Sequence, residues 1–267
     1  MSEFKLPKLN KLKECRFGPM VFNPKDTHIG RSLDLYGEYC REETLLFDHF
    51  LNEGDIVLDI GAHLGAHTVY FAGKVGASGG VLAFEPQRIL YQLLCGNVAL
   101  NGFQNVYAYN MALGKEKDFI KVPQLNYENE TNFGLYSPKD YTHGDDVAQD
   151  TIDTWMVLPK CKLIKIDVEG MELDVLQGGA ATIKSYQPYL YFENNAHKPD
   201  TDLNKFVADM GYKLYWHFPR YYRPDNFFQN KKNVFEQHGK LITASNILAV
   251  PSGGIVPKSV ASEVTIG

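Results

Sequence analysis

The sequence predicts an α/β fold: a doubly wound, mostly parallel seven-stranded sheet with a flap inserted between its third and fourth strands. Three observations predict it. Short apolar runs such as "DIVLDIG", "GVLAFEP" and "CKLIKIDVEG" lack polar alternation, as strands covered on both faces do. Each is followed by a segment whose apolar residues recur at helical spacing. Strands and helices that keep alternating in this way imply parallel pairing with helices on both sides. The 267 residues, 44% of them hydrophobic, suffice for one such domain and are short for two.

Residues 1–35 read as an irregular N-terminal segment, with "FGPMVFNPKD" placing turn residues between apolar ones. The domain proper is expected over residues 36–251. Its first helix lies in "GEYCREETLLFDHFLNEGD", where Leu45, Leu46, Phe50 and Leu51 share a face, acids crowd the first turn and Gly54 stops it. "DIVLDIG" is the first strand, "LGAHTVYFAGKVG" a helix, "GVLAFEP" the second strand, and "RILYQLLCGNVALNG" a helix closed by Gly102. "NVYAYNMALG" is the third strand. From Lys117 to Trp155 the chain turns polar and aromatic-flecked, which reads as a hairpin or flap. "CKLIKIDVEG" is the fourth strand, with one helix over "MELDVLQGGAATIKSY", and "QPYLYFEN" is the fifth. "TDLNKFVADMG" is a helix capped by Asp200 or Thr201 and stopped by Gly211. "YKLYWHF" and "ASNILAVP" are the last two strands. No helix separates them, so one is expected to enter antiparallel at an edge. Residues 252–267 are expected to form a flexible tail.

Composition excludes several function classes. The 27 basic and 32 acidic residues give a net charge of −5, so no general nucleic-acid binding is expected. Cys15, Cys40, Cys95 and Cys161 form no C-x-x-C pair, which suits a reduced chain better than a disulfide framework or zinc site. The lysine-rich start has no apolar core of a secretory signal, and no run approaches the ~20 apolar residues of a membrane span. A soluble, cytoplasmic protein is the expectation. Self-association is left open.

The chemistry concentrates at strand ends. Gly61 and Gly65 bracket a sharp turn after the first strand, where many α/β folds bring backbone close to a ligand. A dinucleotide site wants G-x-G-x-x-G, but Ala62 and His63 follow Gly61, so the middle glycine is missing. Asp59 adds a carboxylate to the same crevice. The ligand should therefore carry positive charge and no phosphate, which describes S-adenosylmethionine. Asp59 would face its ammonium, and Glu85 at the second strand's end would accept from the ribose hydroxyls. Asn110, Met111 and Ala112 at the third strand's tip offer a wall and a backbone partner for adenine. His63 and His67 stand four apart, a spacing that suits metal on a helix. His63 lies in the turn, however, and no third ligand is near, so they read as a loop histidine and a surface or substrate-facing one.

A methyl acceptor would then sit over the fourth and fifth strands. Transfer from a sulfonium is an in-line displacement, so alignment dominates, and an alcohol must also lose its proton. Asp167 or Glu169 is the expected base or hydroxyl-orienting acceptor, with Lys165 holding one of them by charge and Glu193 at the neighbouring tip. The same acids offer the oxygen ligands that Mg²⁺ or Ca²⁺ take, but nothing fixes a ligand count, so no metal is indicated. The aromatic segment "YWHFPRYYRPDNFFQN" could equally stack on sugar rings or pack as an edge strand with its loop.

These blocks resemble a known family. "VLDIGAHLGAHTVYFA", "VLAFEPQ", "NVALNG", "NMALG", "TIDTW" and above all "LIKIDVEGMELDVLQGG" are similar to the FkbM-type methyltransferases, over roughly Tyr36 to Pro251. The resemblance implies a class I S-adenosylmethionine-dependent fold and methylation of hydroxyls on sugars, polyketides and other natural products. It implies cofactor contacts at Asp59, Gly61 and Glu85, with Glu38 and Asn110 nearby, and active-site roles for Asp167 and Glu169. It departs from the family at His63, where asparagine is usual, and at Ala66 or His67, where an aromatic is frequent; that bears on the acceptor. The expected activity is O-methylation of a saccharide or natural product, with a small-molecule or glycan acceptor. N-methylation of a small molecule and a catalytically silent nucleoside-binding partner subunit are the alternatives. A nicotinamide oxidoreductase lacks its phosphate cradle here, and RNA methylation is disfavoured by the net charge.

Overall fold

In the computed structural model, which describes residues 9–135, 142–155, 159–237 and 239–266, the chain opens with a hairpin, β1 (Lys11–Cys15) and β2 (Gly18–Phe22), and a helix, α1 (Ile29–Tyr36). Helix α2 (Arg41–Phe47) leads into β3 (Ile56–Ile60), α3 (Ala66–Val75), β4 (Gly80–Phe84), α4 (Arg88–Leu100) and β5 (Val106–Tyr109). Three small strands follow, β6 (Ala112–Leu113), β7 (Asp118–Val122) and β8 (Asp145–Asp150), then the single turn α5 (Ile152–Trp155). Alternation resumes with β9 (Leu163–Ile166), α6 (Glu172–Gln177), α7 (Ala180–Tyr186), β10 (Tyr189–Glu193), α8 (Thr201–Asp209) and β11 (Lys213–His217). A ribbon, β12 (Glu236–Gln237) with β13 (Lys240–Leu241), precedes β14 (Asn246–Val250).

Seven strands form one sheet in the order β11-β14-β10-β9-β3-β4-β5. Residue alternation along each strand splits the core in two. Leu58, Ile60, Ile164, Ile166, Leu190 and Phe192 point to the face covered by α6, α7 and α8. Val57, Leu163, Tyr189 and Tyr191 point to the opposite face, under Leu46 and Phe47 of α2 and Tyr70, Phe71 and Val75 of α3. The doubly wound sheet predicted from the alternation is therefore present. Its strand order reverses between β3 and β9, and that gap is where such sheets bind ligands.

Five local expectations are corrected. The antiparallel strand is not at the edge: β14 inserts between β10 and β11, antiparallel to both, so each inner strand keeps two hydrogen-bonding neighbours. Residues 9–35 are not irregular, because the hairpin and α1 bury Cys15, Met20, Phe22 and Leu33 against Leu64 and Val69. The single helix expected over "MELDVLQGGAATIKSY" is two. A Cβ at Gly178 would lie 2.0 Å from the Gly114 carbonyl oxygen, so the chain breaks there to pass that backbone. Leu45 is 37% exposed, whereas Leu46, Phe50 and Leu51 are buried as expected. The expected flexible tail, residues 252–267, is anchored within its described part: residues 261–264 pair along the outer edge of β11, where Trp216 N donates to Ser262 O at 3.1 Å, Val264 N donates to Leu214 O at 2.8 Å and Val264 is buried.

The expected flap is a three-stranded sheet, order β6-β8-β7, with β7 and β8 antiparallel; part of the predicted segment, residues 136–141, lies outside the described residues. The four cysteines are free. Among the described residues no helix is long and apolar enough to cross a membrane.

Asn97 of the "NVALNG" block is fully buried and clamps three parts of the chain. Its side chain accepts from Val21 N at 2.7 Å and donates to Val21 O at 3.0 Å and Leu64 O at 2.8 Å. Asn97→Ala strands a buried N–H and two carbonyls, so a loss of roughly 3 kcal/mol is expected in urea unfolding. A loss under about 1 kcal/mol would show that the clamp carries little.

Candidate active site

A cavity of about 300 Å³ opens where the strand order reverses. Its wall gathers the ends of five strands: Gly61 after β3, Glu85 after β4, Met111 and Ala112 after β5, Asp167 and Glu169 after β9, and Glu193 closing β10. Because β14 runs antiparallel, its first residue, Asn246, reaches the same rim. The flap adds Val122, Pro123, Asn132, Gly134 and Leu135, and Tyr39, Tyr221 and His28 form an aromatic side.

The turn after β3 keeps its own backbone donors occupied. Gly61 N and Ala62 N donate to Phe84 O at 2.9 and 3.0 Å, and His63 N donates to Glu85 Oε2 at 2.8 Å. Gly61 has φ +78, and a Cβ there would lie 1.8 Å from the Asp167 carbonyl oxygen. That approach brings the β3 turn against the end of β9 and requires glycine. His63 is itself left-handed, with φ +53, a conformation that costs a non-glycine residue energy and collects at functional sites.

Glu85 is held at both oxygens, since Gln87 N donates to Oε1 at 2.7 Å. Burial pushes its carboxyl up, and the two backbone donors only partly offset this, leaving it at about 7. Asp59 differs from the expectation. It is fully buried behind the cavity wall, with Thr68 Oγ1 donating to Oδ2 at 2.6 Å and Lys165 Nζ 3.7 Å from Oδ1. Glu38 and Asn110 are not on the wall either. Glu38 accepts from Arg16 Nε at 2.5 Å and Phe227 N at 3.1 Å, and Asn110 Nδ2 donates to the carbonyls of Glu85 and Pro86 at 2.9 and 3.0 Å. Gly65 packs against Leu94 rather than facing the cavity.

Lys165 pairs in register with Asp59 on one side and Tyr191 on the other, which places all three on one face of the sheet. Burial would lower its ammonium, but Asp167 at 3.4 Å, Asp59 and Glu43 outweigh that and hold it charged. Glu43 of α2 is the acid that sequence reading missed. It borders the cavity, lies 2.8 Å from His67 Nε2, and accepts from Asn246 Nδ2 at 2.8 Å and Tyr191 OH at 3.2 Å. Burial would raise its carboxyl, yet His67 and Lys165 hold it below its ordinary value. His67 is thus not at the surface; it is buried beside Glu43 and borders the cavity, the substrate-facing one of the two expected places. A signal was legible: Glu43, Leu46, Phe47 and Phe50 fall on one helical stripe, so an acid sat among core residues.

Asp167, Glu169 and Glu193 each offer an oxygen within 4.8 Å of the others. Burial, then Asp167 and Glu193, pushes the Glu169 carboxyl up to about 9, and burial with Asp167 raises Glu193 to about 8. Such oxygens suit a hard cation, and they equally suit two carboxyls that keep their protons at neutral pH. Between the ordinary carboxylate range and about pH 9 the folded chain holds a Glu169 proton that the unfolded chain has released. This contribution to stability is complete at low pH and falls as pH rises through that window. Glu169→Gln is therefore expected to gain thermal stability relative to wild type steadily from about pH 5 to about pH 9. A difference independent of pH would contradict the raised carboxyl.

The family profile described as "Methyltransferase FkbM domain" matches residues 59–214, more than half of the chain. The chain belongs to the FkbM methyltransferase family. "Methyltransferase 1" of Beauveria bassiana (strain ARSEF 2860) is 27% identical over 147 residues, which span 47% of this FkbM chain and 59% of that relative. Among solved structures, Methyltransferase FkbM from Methylobacillus flagellatus KT is 18% identical, covering 73% of this chain and 43% of its own, at a TM-score of 0.46. Aeropyrum pernix fibrillarin, solved with natively bound S-adenosyl-L-methionine, is 11% identical, covering 93% and 85%, at a TM-score of 0.45. The FkbM match begins at Asp59 and so leaves out α2, which carries Glu43.

Proposed function

We propose that this FkbM chain transfers a methyl group from S-adenosylmethionine to a hydroxyl of a saccharide or natural product. One observation carries the reading: five acidic side chains, of which Glu169 and Glu193 keep their protons at neutral pH, and a single lysine border the cavity among its described residues, and the turn beneath it leaves Gly61, Ala62 and His63 no free backbone donor for a phosphate. That wall suits a cationic, phosphate-free donor and rejects a dinucleotide. Glu85, fixed by two backbone donors, has acceptor capacity left for ribose hydroxyls, and Met111 with Ala112 forms the side where adenine would lie.

What a bound donor supplies is an electrophilic methyl carbon on sulfur; the chain does the rest. Asp167, held by Lys165 at the cavity mouth, accepts the proton of the incoming hydroxyl. Glu169, protonated at neutral pH, donates a hydrogen bond rather than acting as base. Tyr39, Tyr221 and His28 line the same cavity as these acids, and aromatic rings beside carboxylates are a pairing that suits a sugar. The test is incubation with labelled S-adenosylmethionine and a panel of sugar acceptors. Alkali-stable methyl products support the reading. Transfer to amines alone, which the acid-rich mouth would also accommodate, would replace the hydroxyl by a nitrogen acceptor.

A further inference from the structure

We propose that Glu43, and neither Asp59 nor Glu38, is the carboxylate that receives the α-ammonium group of S-adenosylmethionine, an assignment that rests on the donor reading above. With ribose on Glu85 and adenine beside Ala112, the amino-acid end of the donor extends across the β3–β9 gap, away from β4. The far wall there is made by Glu43, His67, Lys165 and Asn246. Asp59 has no surface on that wall and is engaged by Thr68 and Lys165. Glu38 turns toward Arg16 and the backbone of Phe227. Of the five acids on the wall, Glu85 is given to the ribose and Asp167, Glu169 and Glu193 cluster at the acceptor mouth, which leaves Glu43.

Its surroundings prepare it for a small cation. A carboxylate offers about four acceptor sites; Tyr191 and Asn246 both donate to Glu43 Oε1, and His67 Nε2 stands 2.8 Å from Oε2. Oε2 keeps acceptor capacity. The three partners also hold the carboxylate in one orientation, so an arriving ammonium meets an anion that has already been stripped of water and aimed. Tyr191 is itself fastened by His217, whose Nδ1 lies 2.8 Å from the phenol oxygen. Lys165 neighbours the same carboxylate but is committed to Asp59 and Asp167, at 3.7 and 3.4 Å.

Two ligands isolate the contact. S-adenosylhomocysteine and 5′-methylthioadenosine share the nucleoside and thioether, but only the first carries the amino-acid end. In calorimetric titrations Glu43→Gln is expected to bind S-adenosylhomocysteine about 10- to 100-fold more weakly while its affinity for methylthioadenosine stays within about twofold of wild type. Tyr191→Phe, which keeps the ring and removes one hydrogen bond to Glu43, is expected to give the same selective loss at about threefold and serves if Glu43→Gln does not fold. Equal loss of both ligands in the variant measured would overturn the proposal and make the network structural. Unchanged S-adenosylhomocysteine binding would overturn it as well. Wild-type protein that takes up neither ligand would instead remove the donor reading on which it stands.

Discussion

Asp167→Asn is expected to lower turnover by about 10²- to 10⁴-fold while S-adenosylhomocysteine binds as in wild type. The magnitude follows from the loss of a positioned proton acceptor. Asp167 is the carboxylate at the mouth that Lys165 pairs with, whereas Glu169 and Glu193 sit at about 9 and 8 and carry protons at neutral pH. Asparagine keeps the shape and removes the basic oxygen. The same substitution frees Lys165 of one partner, so affinity for the cationic donor would fall slightly further than affinity for its neutral-sulfur product. Turnover that survives intact would move proton removal to another group or favour a silent, nucleoside-binding subunit.

Lys165→Met is expected to cost about 3–5 kcal/mol of folding stability, the largest structural effect foreseen in this chain. The lysine is 4% exposed and is the cation that Asp59, Asp167 and Glu43 share. Asp59 is the most vulnerable, since it has no exposure and its Oδ1 accepts no hydrogen bond. Methionine fills the space but leaves Asp59 uncompensated in the interior and removes the cation that Asp167 and Glu43 share at the cavity wall. Adding Asp59→Asn to Lys165→Met should recover part of the loss, because the second change removes the charge left stranded by the first. Denaturant unfolding of the two variants checks this. A single-variant loss under about 1 kcal/mol would mean that water, rather than Lys165, solvates the acids.

Much of the fold was legible because its signals are local. Unbroken apolar runs named the buried strands, the glycines after β3 named the turn, and Asp200 capped α8 as its side chain predicted, accepting from Leu203 N. The errors arose where a partner distant in sequence decides. Nothing within "MELDVLQGGAATIKSY" announces that Gly178 must pass the Gly114 carbonyl. Nothing in "ASNILAVP" says that its strand will insert between two others rather than add to an edge. The tail reads as polar filler until the open side of β11 is there to pair with it.

The candidate site divides along the same line. Sequence alone picked out which strand ends meet at the cavity: Gly61, Glu85, Ala112, Lys165, Asp167 and Glu169 all reach its wall, since a residue's place at a strand tip is set by its own neighbours in the chain. The direction each side chain takes was decided only by tertiary packing. It buried Asp59 behind the wall, turned Glu38 and Asn110 to other partners, and brought Glu43 beside His67. A buried carboxylate settles wherever donors and cations can replace the water it has lost, and those come from elements far apart in the sequence.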